Sequence, residues 1–177
     1  MLSIGFVGLG SMGQAIAVKI LQSGYLLDVY DRSNDALKVV VAAGARQASN
    51  LQELADGKDL VFLSVSNADM TEEIICESGG LLDSMNAGGV IIDLGTTPYG
   101  QCVELAEKAV TAGLSFLDAP ISGSTPWAEA GTLAMMVGGP KPAYEKVRAI
   151  LTTFADKIHY LGDSGNGQLL KLCHQLT

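Results

Sequence analysis

Aromatic residues, cysteine, histidine and positive charge are all scarce in this chain of 177 residues. It has one Trp, four Phe, two His and three Cys, and 11 Lys+Arg stand against 19 Asp+Glu, for a formal net charge of -8. The charge deficit excludes the basic stripe that a nucleic-acid surface needs, so no nucleic-acid partner is expected. It still allows a small anionic ligand, because backbone donors at a helix start bind anions inside an acidic protein. Cys76, Cys102 and Cys173 are odd in number and far apart, which excludes a paired disulfide framework and any CxxC metal site. They read as buried free thiols of a reducing compartment. With two histidines and scattered carboxylates, no metal site is expected. No uninterrupted apolar run approaches the roughly 18 residues of a membrane helix. The opening MLSIGFVGLG lacks a basic segment and is broken by glycines, unlike a signal peptide. A soluble, cytoplasmic protein with no membrane partner is the expectation.

Glycine, by contrast, is abundant at 21 residues, and short apolar runs alternate with stretches of helical period. That alternation predicts β-α-β units. Strands are expected at 3–8, 26–31, 45–48 (a weak one), 59–66, 88–95, 114–120, 132–139 and 157–162. Helices are expected over 11–24, from an Asn34 N-cap, over 50–56, from near Asp69, from near Pro98 and around 142–154. From Gln168 onward, Leu169, Leu172, Cys173 and Leu176 fall at i, i+3, i+4, i+7, the stripe of an amphipathic helix with Lys171, His174 and Gln175 opposite. The fold class expected is α/β, a Rossmann-type doubly wound, mostly parallel sheet over residues 1–164. Residues 165–177 then begin an interdomain helix.

The segment GFVGLGSMG places Gly8, Gly10 and Gly13 in a G-x-G-x-x-G pattern between a strand and a helix. Such glycines serve a tight turn, close backbone approach to a pyrophosphate, and helix-on-strand packing. The helix start then offers free N–H groups and a positive dipole end to the phosphates. The second strand ends at Asp31, about 20 residues on, where a carboxylate accepts hydrogen bonds from ribose hydroxyls. A dinucleotide is therefore the expected cofactor. Asp31 favours NAD by repelling the extra phosphate of NADP, whereas the neighbouring Arg32 could pair with that phosphate. NAD is expected, with NADP as the alternative.

Three segments, GFVGLGSMGQAIAVKILQSGY, DAPISGSTPWAEAGTLAMMVGG and GNGQLLKLCHQ, together resemble the β-hydroxyacid dehydrogenase family in order and spacing. That family includes 3-hydroxyisobutyrate dehydrogenase, tartronate semialdehyde reductase, threonate dehydrogenases and 6-phosphogluconate dehydrogenase. The resemblance implies cofactor contacts from Gly8, Leu9, Gly10, Ser11, Met12 and Gly13, from Asp31, from Ser64, Val65 and Ser66, and from Thr96; Arg32 joins the candidates through its capacity to pair with a phosphate. GTTPYG departs from the family's Ser-Thr-x-x-Pro, with Gly95 for the serine and the proline one position early. Ser122 and Gly123 match the clamp for the substrate carboxylate, and Ser124 stands where the family usually has a second glycine.

Lys171 matches the family's catalytic lysine, the group that takes the hydroxyl proton as hydride leaves. Gln175 is implied to contact substrate, and the His174-Gln175 pair resembles the threonate-dehydrogenase-like branch. The same resemblance implies a small β-hydroxy acid substrate. It also implies a C-terminal helical domain, absent here, through which the full-length form would be a homodimer or homotetramer. Without that domain the chain is expected to bind a dinucleotide but turn over feebly. An imine reductase of the same fold, or a non-catalytic dinucleotide-binding or regulatory module, are the competing readings. His159, Asp118 and Trp127 are expected to be structural.

Overall fold

In a computed structural model the chain is described over residues 2–175. β1 (Ile4–Val7) leads into α1 (Ser11–Gln22), β2 (Leu27–Tyr30), α2 (Asn34–Ala42), β3 (Arg46–Gln47) and α3 (Leu51–Ala55). β4 (Leu60–Leu63), α4 (Ala68–Cys76), α5 (Leu81–Ser84), β5 (Val90–Asp93), α6 (Tyr99–Thr111) and β6 (Ser115–Asp118) complete a second half. These strands form one parallel sheet in the order β3-β2-β1-β4-β5-β6. The order reverses direction between β1 and β4, the crevice where open α/β sheets bind ligands.

Both faces of the sheet are covered. Ile4, Phe6, Phe62 and Ile92 point into a core with α1 and α2, while Val7, Val61, Leu63 and Ile91 point into a second core with Leu54, Ile75, Cys102 and Leu105. This two-residue alternation between two buried faces explains why the strands read as continuous apolar runs. Gly5 fits the same packing, since a Cβ there would lie 3.0 Å from Leu54 Cδ2. The helix starts are set locally. Ser33, one residue ahead of the expected Asn34, is the N-cap of α2, and the Asn50 and Asn67 side chains accept from Glu53 N–H and Met70 N–H at the starts of α3 and α4.

The sequence pattern does not reveal that the last strands leave the main sheet. β7 (Ile121–Ser122), α7 (Thr125–Ala130), β8 (Leu133–Val137), α8 (Lys141–Leu151) and β9 (Ala155–Tyr160) build a separate three-stranded sheet, β7-β8-β9. β7 and β8 are antiparallel, β8 and β9 parallel. This sheet buries Leu133, Met135 and Phe154 in the same core as α1, with Phe154 edge-on to Phe62 at a centroid distance of 6.0 Å. α9 (Asn166–Gln175) follows and packs on β8 and β6. Among the described residues no helix is long and apolar enough to cross a membrane. The three thiols are free, as expected, and Cys102 is buried, but Cys76 is only half-buried and Cys173 is exposed. His159 is exposed on the edge strand β9.

Candidate functional site

The three loop glycines have three different environments. Gly8 adopts φ +91°, and a Cβ on it would run into the Ser64 carbonyl. A Cβ on Gly13 would collide with the Gly8 carbonyl, so α1 can cross the loop only over a glycine. Gly10 is different: a Cβ there would meet nothing within 4 Å. The fold therefore does not require that glycine, but a ligand approaching the backbone would. Gly10 is also the N-cap of α1 and gives no side-chain cap to the amides of Ser11 and Met12. Leu9, fully buried, anchors the loop from below. This bare backbone cradle at a helix N-terminus fits a pyrophosphate.

Asp31 lies beside the cradle. One carboxylate oxygen accepts from Leu9 N–H at 2.6 Å and the other from Ser33 N–H at 2.7 Å, tying the glycine loop to the β2–α2 turn. A cleft of about 420 Å³ opens here between Gly8, Asp31, Arg32, Leu51, Val65 and Met70. Its apolar walls and acidic corner suit an adenosine. Arg32 reaches across the cleft and donates from Nη2 to Glu73 Oε1 on α4 at 2.7 Å. Ser64 sits under Gly13 and so borders the cradle, whereas Ser66 donates to Met70 Sδ at 3.5 Å beside the cleft wall.

A second set of residues meets at the ends of β5 and β6. Asp93 and Asp118 are paired in register on those strands, and both are fully buried. Asp93 accepts from Thr97 Oγ1 at 2.6 Å and Gly95 N–H at 2.9 Å, which shapes the turn carrying the exposed Thr96. Asp118 accepts from Gly165 N–H at 2.7 Å and Gln168 N–H at 3.1 Å, which fixes the start of α9. Gln168 then donates from Nε2 to Gly95 O at 2.9 Å and closes the circuit. Burial pushes both carboxyls above the usual aspartate range.

Gly165 and Gly167 make this approach possible. Gly165 has φ +92° and lies against the Tyr99 ring, and a Cβ on Gly167 would crowd Met136 O at 2.6 Å. α9 thereby aims Lys171 back at the small sheet, where its Nζ donates to Ile121 O at 2.7 Å. Partial burial lowers the Lys171 pKa from the ordinary lysine value. A pocket of about 210 Å³ is lined by Thr96, Tyr99, Gln168, Lys171, Leu172 and Gln175.

Lys171, Thr96 and Gln175 are therefore brought together, and Lys171 touches the carbonyl next to Ser122. Gly123 has φ +140°, and a Cβ there would meet Leu133 Cδ2 at 2.6 Å and Trp127 Cε3 at 3.0 Å. Its glycine is thus already demanded by packing. Ser124 is the exposed N-cap residue of α7 and makes no side-chain cap bond. Residue-type reasoning passed over Asp93, Thr97, Gln168 and Glu73. The signals available were an aspartate ending the apolar run of β5, for Asp93, and a glutamine inside G-x-G-x-x-x-K, for Gln168; no local signal marks Thr97 or Glu73. Among the described residues no group of three or more His, Cys, Asp or Glu could hold a metal ion.

Residues 3–162 match the family described as the NAD binding domain of 6-phosphogluconate dehydrogenase. The chain is 35% identical over 175 residues to the 2-(hydroxymethyl)glutarate dehydrogenase of Eubacterium barkeri, covering 99% of this chain and 58% of that protein. It is 36% identical over 174 residues to an NAD-dependent L-serine dehydrogenase of Pseudomonas aeruginosa, covering 98% and 58%. The solved structure of a Mycobacterium tuberculosis 3-hydroxyisobutyrate dehydrogenase with L-serine superposes with a TM-score of 0.94 at 28% identity, covering 99% of this chain and 60% of that one. The chain thus spans about three fifths of the length of the relatives it matches.

Proposed function

The chain belongs to the family of the NAD binding domain of 6-phosphogluconate dehydrogenase, and from that premise we propose that it serves an oxidoreductase acting on a small β-hydroxy acid. When bound, a nicotinamide supplies hydride acceptance in oxidation and hydride donation in reduction. The backbone of Gly8, Leu9, Gly10, Ser11, Met12 and Gly13 holds the pyrophosphate at the α1 N-terminus. Asp31 accepts from the adenosine ribose, Val65 flanks the adenosine, and Ser64, Ser66 and Thr96 line the cofactor's path along the strand ends.

Lys171 Nζ takes the proton from the substrate hydroxyl in oxidation and returns it to the carbonyl oxygen in reduction. A base must be neutral to accept a proton, and the lowered pKa of Lys171 raises its neutral fraction near physiological pH. Ser122, Gly123 and Ser124 receive the substrate carboxylate through a hydroxyl and exposed backbone donors, and Gln175 offers an amide. The names of the relatives point to the same substrate class. L-serine, 3-hydroxyisobutyrate and 2-(hydroxymethyl)glutarate each carry a hydroxyl on the carbon β to a carboxylate.

One observation carries this reading: the Lys171 ammonium donates to the carbonyl of Ile121, adjacent to Ser122, at 2.7 Å, while Lys171 shares a pocket with Thr96 and Gln175. That position supports a lysine acting between the proposed clamp segment and the proposed cofactor side. Calorimetric titration with NAD+, alongside a panel of β-hydroxy acids assayed for reduced-cofactor formation, tests it. Binding of NAD+ with acid-dependent turnover that is lost in Lys171→Ala is expected. Absence of dinucleotide binding, or undiminished turnover in that variant, overturns it.

A further inference from the structure

The adenosine cleft carries an ion pair that the cofactor reading does not use. Four charged side chains line it: Asp31, Arg32, Glu73 and Glu77. Arg32 is the sole cation among these described lining residues, and it is the group chemically suited to pair with a phosphate. Its Nη2 is already held at 2.7 Å by Glu73 Oε1, from the opposite wall. Asp31 does not hold Arg32 in this structure; its two oxygens accept from the backbone N–H groups of Leu9 and Ser33 at 2.6 and 2.7 Å. Three carboxylates against one guanidinium leave the cleft with a net negative lining.

We propose that Glu73 is a cofactor-specificity determinant: by holding Arg32 across the cleft it withdraws the guanidinium from a 2′-phosphate on the adenosine ribose and so selects NAD over NADP. This rests on the cofactor reading above. A doubly charged phosphate beside Asp31 must either displace Glu73 or share Arg32 with it, and in both cases Glu73 remains as a nearby like charge. NAD, which has hydroxyls at that position, meets no such cost. The pair is solvent-exposed, with 65% and 41% of the two side chains accessible. Exposed pairs are individually weak, so the selection should be graded and salt-sensitive.

The test is calorimetric titration of this chain with NAD+ and with NADP+, in the wild type, Glu73→Gln, Arg32→Ala and the double variant. Glu73→Gln should tighten NADP+ by about three- to tenfold at low salt while changing NAD+ less than about twofold, as expected for one exposed charge. Adding Arg32→Ala should remove that gain, whereas Arg32→Ala alone should leave NADP+ affinity nearly unchanged, since its guanidinium is already engaged. A purely structural Glu73 would shift both dinucleotides together, and an unchanged NADP+ to NAD+ ratio in Glu73→Gln overturns the proposal. So does tight NADP+ binding by the wild type that Arg32→Ala abolishes. Failure of the wild type to bind either dinucleotide would remove the cofactor reading itself, and this one with it.

Discussion

The glycine-loop cleft and the lysine end of the sheet are built in opposite ways. The cleft comes from one continuous stretch, β1 through β2, in which strand, turn, helix and acid follow within 31 residues. Its geometry is set by local sterics at Gly8 and Gly13, and by one carboxylate spanning two turns. The lysine end gathers pieces from β5, β6, β7 and α9, and two buried carboxylates hold it together. It is also open: Leu169 and Leu172 on α9 are about half exposed, at 48% and 55%. A phosphate cradle can be complete in one β-α-β unit, whereas an acid–base site needs groups from several strands and a cover that keeps water out.

That contrast can be broken at either end. The largest effect is expected from Gly13→Val, whose side chain meets the Gly8 carbonyl. It should abolish NAD+ binding in calorimetry and lower thermal stability, and retained affinity would show that the loop tolerates rearrangement. Lys171→Ala should reduce turnover of a β-hydroxy acid by about 10²–10⁴-fold, the usual range for a positioned acid–base group. NAD+ affinity should stay unchanged, because the two ends are built separately. Wild-type oxidation should rise with pH through a value below that of ordinary lysine, as Nζ loses its proton, and the variant should lose this limb.

Asp118→Ala leaves the buried amides of Gly165 and Gln168 without an acceptor. It should cost roughly 2–6 kcal/mol at about 1–3 per unsatisfied group. Hydrogen exchange should show α9 losing protection while α1 keeps it, and Asp118→Asn should recover part of the loss through its remaining oxygen. The same carboxyls set a pH dependence. Because burial raises the pKa of Asp93 and Asp118 in the folded state, the fold binds more protons than the unfolded chain between the ordinary and raised values. Stability contributed by their protonation should therefore fall as pH rises through that window, and Asp93→Asn should flatten the denaturation midpoint against pH. The smallest effect is expected from Asn67→Ala, which removes the cap of α4 and should cost about 1 kcal/mol with little change at the lysine end.

How much could be read in advance follows the same division. Gly8, Gly13 and Asp31 were legible because each depends on neighbours close along the chain or on a fixed β-α-β spacing. Lys171 was legible only through its surrounding motif, since helical spacing alone marks it as an ordinary solvent-facing lysine. The structure supplies the reason for that motif: Gly165 and Gly167 admit α9 against Tyr99, Met136 and Asp118. Gly123 matches the expected carboxylate clamp, and the structure adds a packing reason for it, since a Cβ there would meet Leu133 and Trp127. The departure of the late strands from the parallel sheet was not legible, because period-2 alternation specifies a strand but not its neighbours.

By itself, the sequence determined the α/β alternation, the doubly wound class and the glycine loop between β1 and α1, because apolar period, helix caps and glycine sterics act over a few residues. Only the tertiary structure decided that β7, β8 and β9 form their own sheet, that Asp118 clasps the start of the lysine helix, and that Glu73 holds Arg32. Those outcomes depend on groups that are far apart in the chain, as in the bonds of Asp118 with Gly165 and Gln168, 47 and 50 positions away, and of Gly95 with Gln168, 73 positions away. No local propensity encodes such meetings; they follow from packing two layers of helices on one sheet.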